Sequence, residues 1–558
     1  MDLVLFQYDQ DCVLDAFRRG EFDFVDGVSE LEETEFFRYI GAQKILPKLA
    51  ETYPSPRKKR DVPLWMYIAS NLSMRLHGVH SFHAYPYVVR CGGMLNAFGP
   101  EVAHKKTHPE TGDVTLSCAG FNDKNSYDRQ TPCDQDFLRK LARDTRPAQL
   151  HHWFNHDVMR VLKQHKAFDS EGIFLGDASY LFVPDNEKYE GSVKLLFDEH
   201  NHPVDSKEVP AEKRLRCQWK RCYKLVSLVH TNRSGDFFLY AAVAVVSGKA
   251  HEAPILYGLL DGFMETAGHG VMKRLILDRG FIDGEHIGRC KRDYGIDVLI
   301  PLKRKMDVYE DVMGLVRAGR VRFEPYSPPA PKPAVDPKPT HVPAEIRRRE
   351  QARQRTLKQR KESNPPPPLP PDKVLVRSEI GYVADFLTWS SCPVPLSAVV
   401  SRETYADEHQ QTWVLVDTKK VTAPAATRDE YRFRSGIEER HRQLKCFIDL
   451  TDFKSRSFSL IWNQVVFVAL AYSLMQLYLR RVSRPELNRH TLPRLRRQLM
   501  PTQAVIIIYF SNRFALLSPL EYTGLLLNLP PEAAQKILAK TRRLQRELDQ
   551  ELKLVRPP

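Results

Sequence analysis

Residues 429–447 read DEYRFRSGIEERHRQLKCF. Placed on an α-helix at about 100° per residue from Tyr431, Arg434 falls at about −60°, Glu438 at about −20° and Lys445 at about −40°. A hydroxyl, a guanidinium, a carboxylate and an ammonium therefore share one stripe roughly 60° wide. Phe433, Ile437 and Leu444 fall at about 200°, 240° and 220°, so the opposite face is the one that packs into a core. The stripe is about 21 Å long, enough to run beside several phosphates of one nucleic-acid strand. The same spacings also suit an exposed helix face with ordinary Glu and Arg pairs.

Upstream lie three dense runs of β-branched and aromatic residues, each of strand length: GIFLGDASYLFV (172–183), CYKLVSLVHTN (222–232) and DFFLYAAVAVVSG (236–248). A helical stretch near 253–267, the apolar run VMKRLILD (271–278), a second helical stretch near 284–294 and DVLIPLK (297–303) follow. This order of strands and helices predicts a mixed sheet covered by helices, an α/β fold. Asp177 stands in the middle of the first run among apolar neighbours, where a lone carboxylate is costly unless a cation, an Arg or backbone N–H groups meet it. Asp278 ends the LILD run, at the carboxyl end of a strand where sites gather in open sheets, although an Asp there is as often a turn residue.

The chain has 558 residues, enough for three or four domains. Its 83 Lys and Arg against 69 Asp and Glu leave a charge of +14, which favours a polyanionic partner, nucleic acid before anionic membrane. Nine cysteines, an odd number without a CxxC pair, read as thiols in a reducing compartment, and the first residues lack a secretory signal. The apolar segment 458–479 is interrupted by Asn463, Gln464, Ser473 and Gln476, so it is expected to be a buried core helix and not a membrane span. Residues 327–372 hold PPAPKPAVDPKP, a run of Lys and Arg, and PPPPLPP, a composition that cannot bury a core and predicts a solvated linker or DNA-contacting arm. Strand-like runs at 374–389, 396–405 and 412–420 follow it. His77, His80, His83, Cys91, His104, His108 and Cys118 cluster along the chain, but their spacing matches no zinc pattern.

Tyr431, Arg434, Glu438 and Lys445 stand as Y-x2-R-x3-E-x6-K, which resembles the YREK signature of bacterial insertion-sequence transposases with an RNase-H-like DDE catalytic domain. Asp177 within GIFLGDASY is similar to that family's first aspartate, and Asp278 within LILDRGF to its second. The resemblance implies an RNase-H-like mixed sheet with flanking helices, an inserted β-rich subdomain, and helical N- and C-terminal regions. The expected divisions are 1–165 as a candidate DNA-binding region, 166–305 with 425–480 as the catalytic domain, 306–424 as the insertion (linker 327–372, β unit 373–424), and 481–558 as a candidate oligomerisation region.

The resemblance further implies that Asp177, Asp278 and Glu438 are catalytic and bind two Mg2+ or Mn2+ ions, the hard cations that oxygen donors suit. Tyr431, Arg434 and Lys445 would hold DNA phosphates near a flipped base, with Trp389 or Trp413 as aromatics that could stack on it, although sheet packing suits both better. The implied activity is cleavage at element ends and strand transfer into target DNA, with hairpin ends as one route, by a homodimer acting on double-stranded DNA in the bacterial nucleoid with no membrane partner. Two alternatives stay open: an inactive or domesticated DNA-binding relative, and an RNase-H-like nuclease or resolvase that joins no strands.

Overall fold

The computed structural model describes residues 7–29, 31–58, 62–76, 78–85, 104–107, 114–117, 135–207, 210, 214–329, 352, 355, 370–482, 504–511 and 513–555. Most of the proline-rich basic stretch, and His77, Cys91, His108 and Cys118, lie outside the described residues. The chain divides into two compact units, one of Met1–Trp153, Leu444–Tyr478 and His490–Pro558, the other of Phe154–Gln443 and Leu479–Arg489.

The second unit is mixed α/β, built on a ten-stranded sheet: β1 (Ile173–Val183), β2 (Val193–Phe197), β3 (Gln218–Thr231), β4 (Phe238–Ser247), β5 (Arg274–Leu277), β6 (Asp297–Pro301), β7 (Glu324–Pro325), β8 (Leu375–Phe386), β9 (Leu396–Tyr405) and β10 (Gln410–Asp417). The strand order is β7-β8-β9-β10-β6-β5-β1-β3-β2, and β4 also pairs with β3. β1, β5 and β6 are parallel neighbours, and every other pairing is antiparallel. This pattern is consistent with the RNase-H-like expectation. Helix α1 (Glu252–Ala267) connects β4 to β5, and helix α2 (Gly284–Tyr294) makes the crossover that the parallel neighbours β5 and β6 require. β1 lies inside the sheet, and α1 comes so close that a side chain at Gly176 would meet Leu256 at 2.6 Å and Leu277 at 2.5 Å.

The β-rich insertion is continuous with this sheet. Its last strand, β10, pairs antiparallel with β6 through Leu299↔Asp417, Ile300↔Val416 and Pro301↔Leu415. An open edge of N–H and C=O groups is thereby covered, and the chain returns from the insertion close to where it left. Two helices follow: α3 (Pro424–Tyr431) and α4 (Arg434–Phe447).

In the first unit the terminal regions are mainly helical, and among the described residues they also contribute a four-stranded sheet. Gln7–Tyr8, Arg513–Leu517, Ala504–Phe510 and Phe24–Ser29 lie side by side in that order. Phe24–Ser29 (FVDGVS) has no strand-like alternation of its own, and its backbone is drawn into the sheet by a partner some 480 positions away, from Ala504↔Ser29 to Tyr509↔Phe24. Val13, Phe17, Phe22, Ile508, Leu517 and Ile537 form the core beneath it, with Leu544 packed at its margin. Helix α5 (Phe458–Arg481) has the length and hydropathy of a membrane span, but 78% of its most apolar window is buried. Two of its polar interruptions are bonded within the unit, as Asn463 donates to the Tyr67 hydroxyl at 2.8 Å and Gln464 to the Leu450 carbonyl at 2.9 Å. The expectation of a core helix is met.

Candidate active site

Asp177 and Asp278 come from neighbouring parallel strands. β1 and β5 are paired up to Gly176↔Leu277; Asp177 is the next residue of β1, and Asp278 directly follows the last residue of β5. Across the other edge of β1, Asp177 faces Ser227 of β3. Asp278 caps the short turn Arg279–Phe281, its Oδ1 accepting from the Arg279 backbone N–H at 2.7 Å. That turn role leaves Oδ2 to face Arg434 Nη1 at 3.7 Å.

Arg434 stands at the start of α4 and also donates to Glu438 one turn on. Burial works against the Arg434 charge, yet Asp278 first, and Tyr431, Glu438 and Asp177 after it, hold its pKa above the ordinary value. One guanidinium thus ties the second aspartate to the glutamate and feels the first aspartate as well. Tyr431 is largely buried beside it, and that burial pushes the phenol well above its usual pKa, with Asp278 and Glu438 adding to the rise against Arg434.

Tyr431 and Arg434 do not lie on one continuous helix. α3 ends at Tyr431, and tight bonds from Phe433 N to Glu430 O and from Gly436 N to Phe433 O turn the chain before α4 begins. α3 is anchored by its own carboxylates: Asp429 accepts from the Tyr326 hydroxyl at 2.6 Å, and Glu430 Oε2 accepts from Arg274 Nη2 at 2.7 Å. Arg274 also grips Asp417 with two bonds of 2.6 and 2.7 Å, so β5, β10 and α3 meet at one buried guanidinium. Lys445 lies about two turns beyond Glu438 on the same helix as Arg434. Gly436 lets α4 approach β4, since a Cβ there would meet the Phe238 ring at 2.7 Å.

His441 was not singled out from sequence. It is buried on α4, with Nε2 2.8 Å from Ser227 Oγ and Nδ1 3.5 Å from Asp177 Oδ2. On the helical projection from Tyr431 it falls at about −80°, one step outside the polar stripe, which is the signal that could have found it. The two insertion tryptophans part company here. Trp389 is buried against α2, where a Cβ on Gly284 would meet it at 2.9 Å. Trp413 lies with its ring centroid 6.2 Å from that of Tyr431 and the Arg428 guanidinium 3.6 Å over its face. It also lines a cleft of 600 Å³ with Arg279, Lys303 and Arg304.

Residues 203–474 match the family described as Transposase DDE domain. The match takes in Asp278, the insertion and the Tyr431–Lys445 segment, begins after Asp177, and supports a DDE transposase family and a transposase function. No curated protein matches the chain. In a transposase DDE domain the carboxylates are the metal-binding groups to test. Among the described residues no group of three or more His, Cys, Asp or Glu is drawn together tightly enough to hold a metal ion. The chemistry of the donors nevertheless fits a hard cation, because Asp278 and Glu438 both turn their oxygens to a positive charge, the Arg434 guanidinium. His80, one of the described histidines of the upstream His/Cys cluster, is committed elsewhere: its ring nitrogens meet Arg75 at 3.0 Å and the Ile448 carbonyl at 2.5 Å.

Proposed function

We propose that this protein is a DNA transposase that cuts at the ends of an insertion sequence and joins the freed 3′ ends to target DNA by metal-dependent phosphoryl transfer. The observation that carries the reading is the register of Asp177 and Asp278 on adjacent parallel strands, with Arg434 linking Asp278 to Glu438. Asp177, Asp278 and Glu438 would hold two Mg2+ or Mn2+ ions. Such ions, when bound, activate water or a 3′ hydroxyl and neutralise charge on the leaving oxygen.

The chain's own residues do the rest. Arg434 neutralises the carboxylates in the free protein and is placed to move its charge onto a phosphate when DNA enters. Tyr431 and Lys445 supply further phosphate contacts along the YREK segment. His441, held by Ser227, fixes the orientation of Asp177. Trp413, beside Tyr431, suits stacking on an unpaired base, the step that a hairpin route demands. Trp389 is occupied by packing.

A second reading, a DNA-binding relative that does not cut, draws on the same Arg434, whose charge already satisfies two of the three carboxylates. Incubation of the purified chain with Mg2+ and a duplex carrying the inverted repeats that bound its reading frame separates the readings. Nicked and strand-transferred products are expected. Binding without nicking would establish the second reading, and nicking without joining a nuclease or resolvase.

A further inference from the structure

Arg75, at the last turn of helix Leu64–Leu76, is 1% exposed and has no carboxylate partner among the described residues. Its Nη1 donates to the Val79 carbonyl at 2.9 Å and meets His80 Nδ1 at 3.0 Å, while Nη2 makes one long contact of 3.4 Å to Asn71 Oδ1. Nε has no partner. Burial lowers the Arg75 pKa to about 10, which leaves it protonated at neutral pH. His80 adds no compensating charge, because burial first and Arg75 next push its pKa down to about 3 and keep the ring neutral.

A buried guanidinium met only by neutral groups costs several kcal/mol unless something anionic joins it. Arg75 lines a cavity of 220 Å³, together with Arg139, Lys454, Ser81 and Ser455. Arg139 and Lys454 have carboxylates of their own, Asp136 at 3.2 Å and Asp452 at 2.9 Å. The unbalanced charge is therefore that of Arg75, and an oxyanion in the cavity that it lines would offset it.

We propose that this cavity is a phosphate-binding site, with Arg75 as its anchor and Lys454 and Arg139 as its rim. A phosphate of DNA and a free phosphate present the same chemistry to it. The site lies within the unit that carries the chain's N-terminal residues, and it stands whether or not the carboxylates at 177, 278 and 438 cut DNA.

The test is thermal melting of the full chain in phosphate against chloride at equal ionic strength, with Arg75→Met and Lys454→Ala. Phosphate should raise the melting temperature of the unsubstituted chain. Arg75→Met should melt no lower in chloride and lose the phosphate response, because it removes an uncompensated charge along with the ligand's partner. Lys454→Ala should weaken the apparent phosphate affinity about tenfold, as expected for one lost charged hydrogen bond. Duplex DNA that abolishes the phosphate response in the unsubstituted chain identifies a DNA phosphate as the occupant, and failure to compete identifies a small phosphate compound. An absent response, or one equal in Arg75→Met, overturns the proposal. Should Arg75→Met not fold, an unchanged affinity in Lys454→Ala overturns it in its place.

Discussion

Asp177 and Asp278 stand at the same level on adjacent parallel strands, each one residue past the paired Gly176 and Leu277. Parallel neighbours at matching register present their side chains on the same face of a sheet, about 5 Å apart. Glu438 must come from elsewhere, and α4 brings it through Arg434, which reaches both Glu438 and Asp278.

The first prediction concerns the three carboxylates. Asp177→Asn, Asp278→Asn and Glu438→Gln should each abolish strand nicking and leave DNA affinity nearly unchanged, since phosphate affinity comes from Lys and Arg. Glu439→Gln should remain active, because Glu439 is turned to Arg442 at 2.7 Å and Gln443 at 3.0 Å. A dead Glu439→Gln beside an active Glu438→Gln would reassign the glutamate.

His441 is expected to act through Asp177. His441→Ala should lower the nicking rate by roughly 10- to 100-fold at saturating metal and raise the Mg2+ concentration needed, the usual effect of losing a partner that orients a ligand. Metal titration of the nicking rate checks it. Loss of rate with an unaltered metal requirement would assign His441 to packing alone.

Arg274→Met removes the shared partner of Asp417 and Glu430 and leaves buried carboxylate uncompensated. A loss of about 3 to 5 kcal/mol is expected by urea unfolding. Adding Asp417→Leu should recover part of it.

Acid should destabilise the sheet unit through His230. Its Nε2 accepts from the Asp169 N–H at 2.7 Å and its Nδ1–H donates to the Ile173 carbonyl at 3.0 Å, so the neutral ring is fully bonded. Burial lowers its pKa to about 4. The unfolded chain takes up the proton below about pH 6.5 and the folded chain only near 4, so stability is intact above that window and falls by up to roughly 3 kcal/mol across it. Melting temperature against pH should drop less steeply below pH 6.5 in His230→Gln.

Trp413→Ala and Trp389→Ala should fail differently. Trp413→Ala should lose hairpin products, with rescue by an abasic nucleotide at the unpaired position, and should cost less stability than Trp389→Ala because Trp413 is only half-buried. Trp389→Ala should lower stability by about 3 kcal/mol or more, as for other buried aromatics cut to Ala. Gel analysis of the cleaved ends together with melting curves separates the two.

The sequence by itself determined the strands that carry Asp177 and Asp278, the helix that carries Glu438, and the burial of 458–479, because period and composition report which side of an element leaves water. It did not reveal what each buried side meets. The bend at Arg432–Phe433, which splits the Tyr431–Lys445 stripe, follows from α3 being held by Arg274 and Tyr326. The contact of His441 with Ser227 joins residues 214 positions apart. Docking of β10 on β6, and of residues 24–29 on 504–509, joins backbone edges whose fit no local pattern encodes. Pairings of that kind are decided by which distant edges and charges the folded chain brings within reach, and only the tertiary structure supplies them.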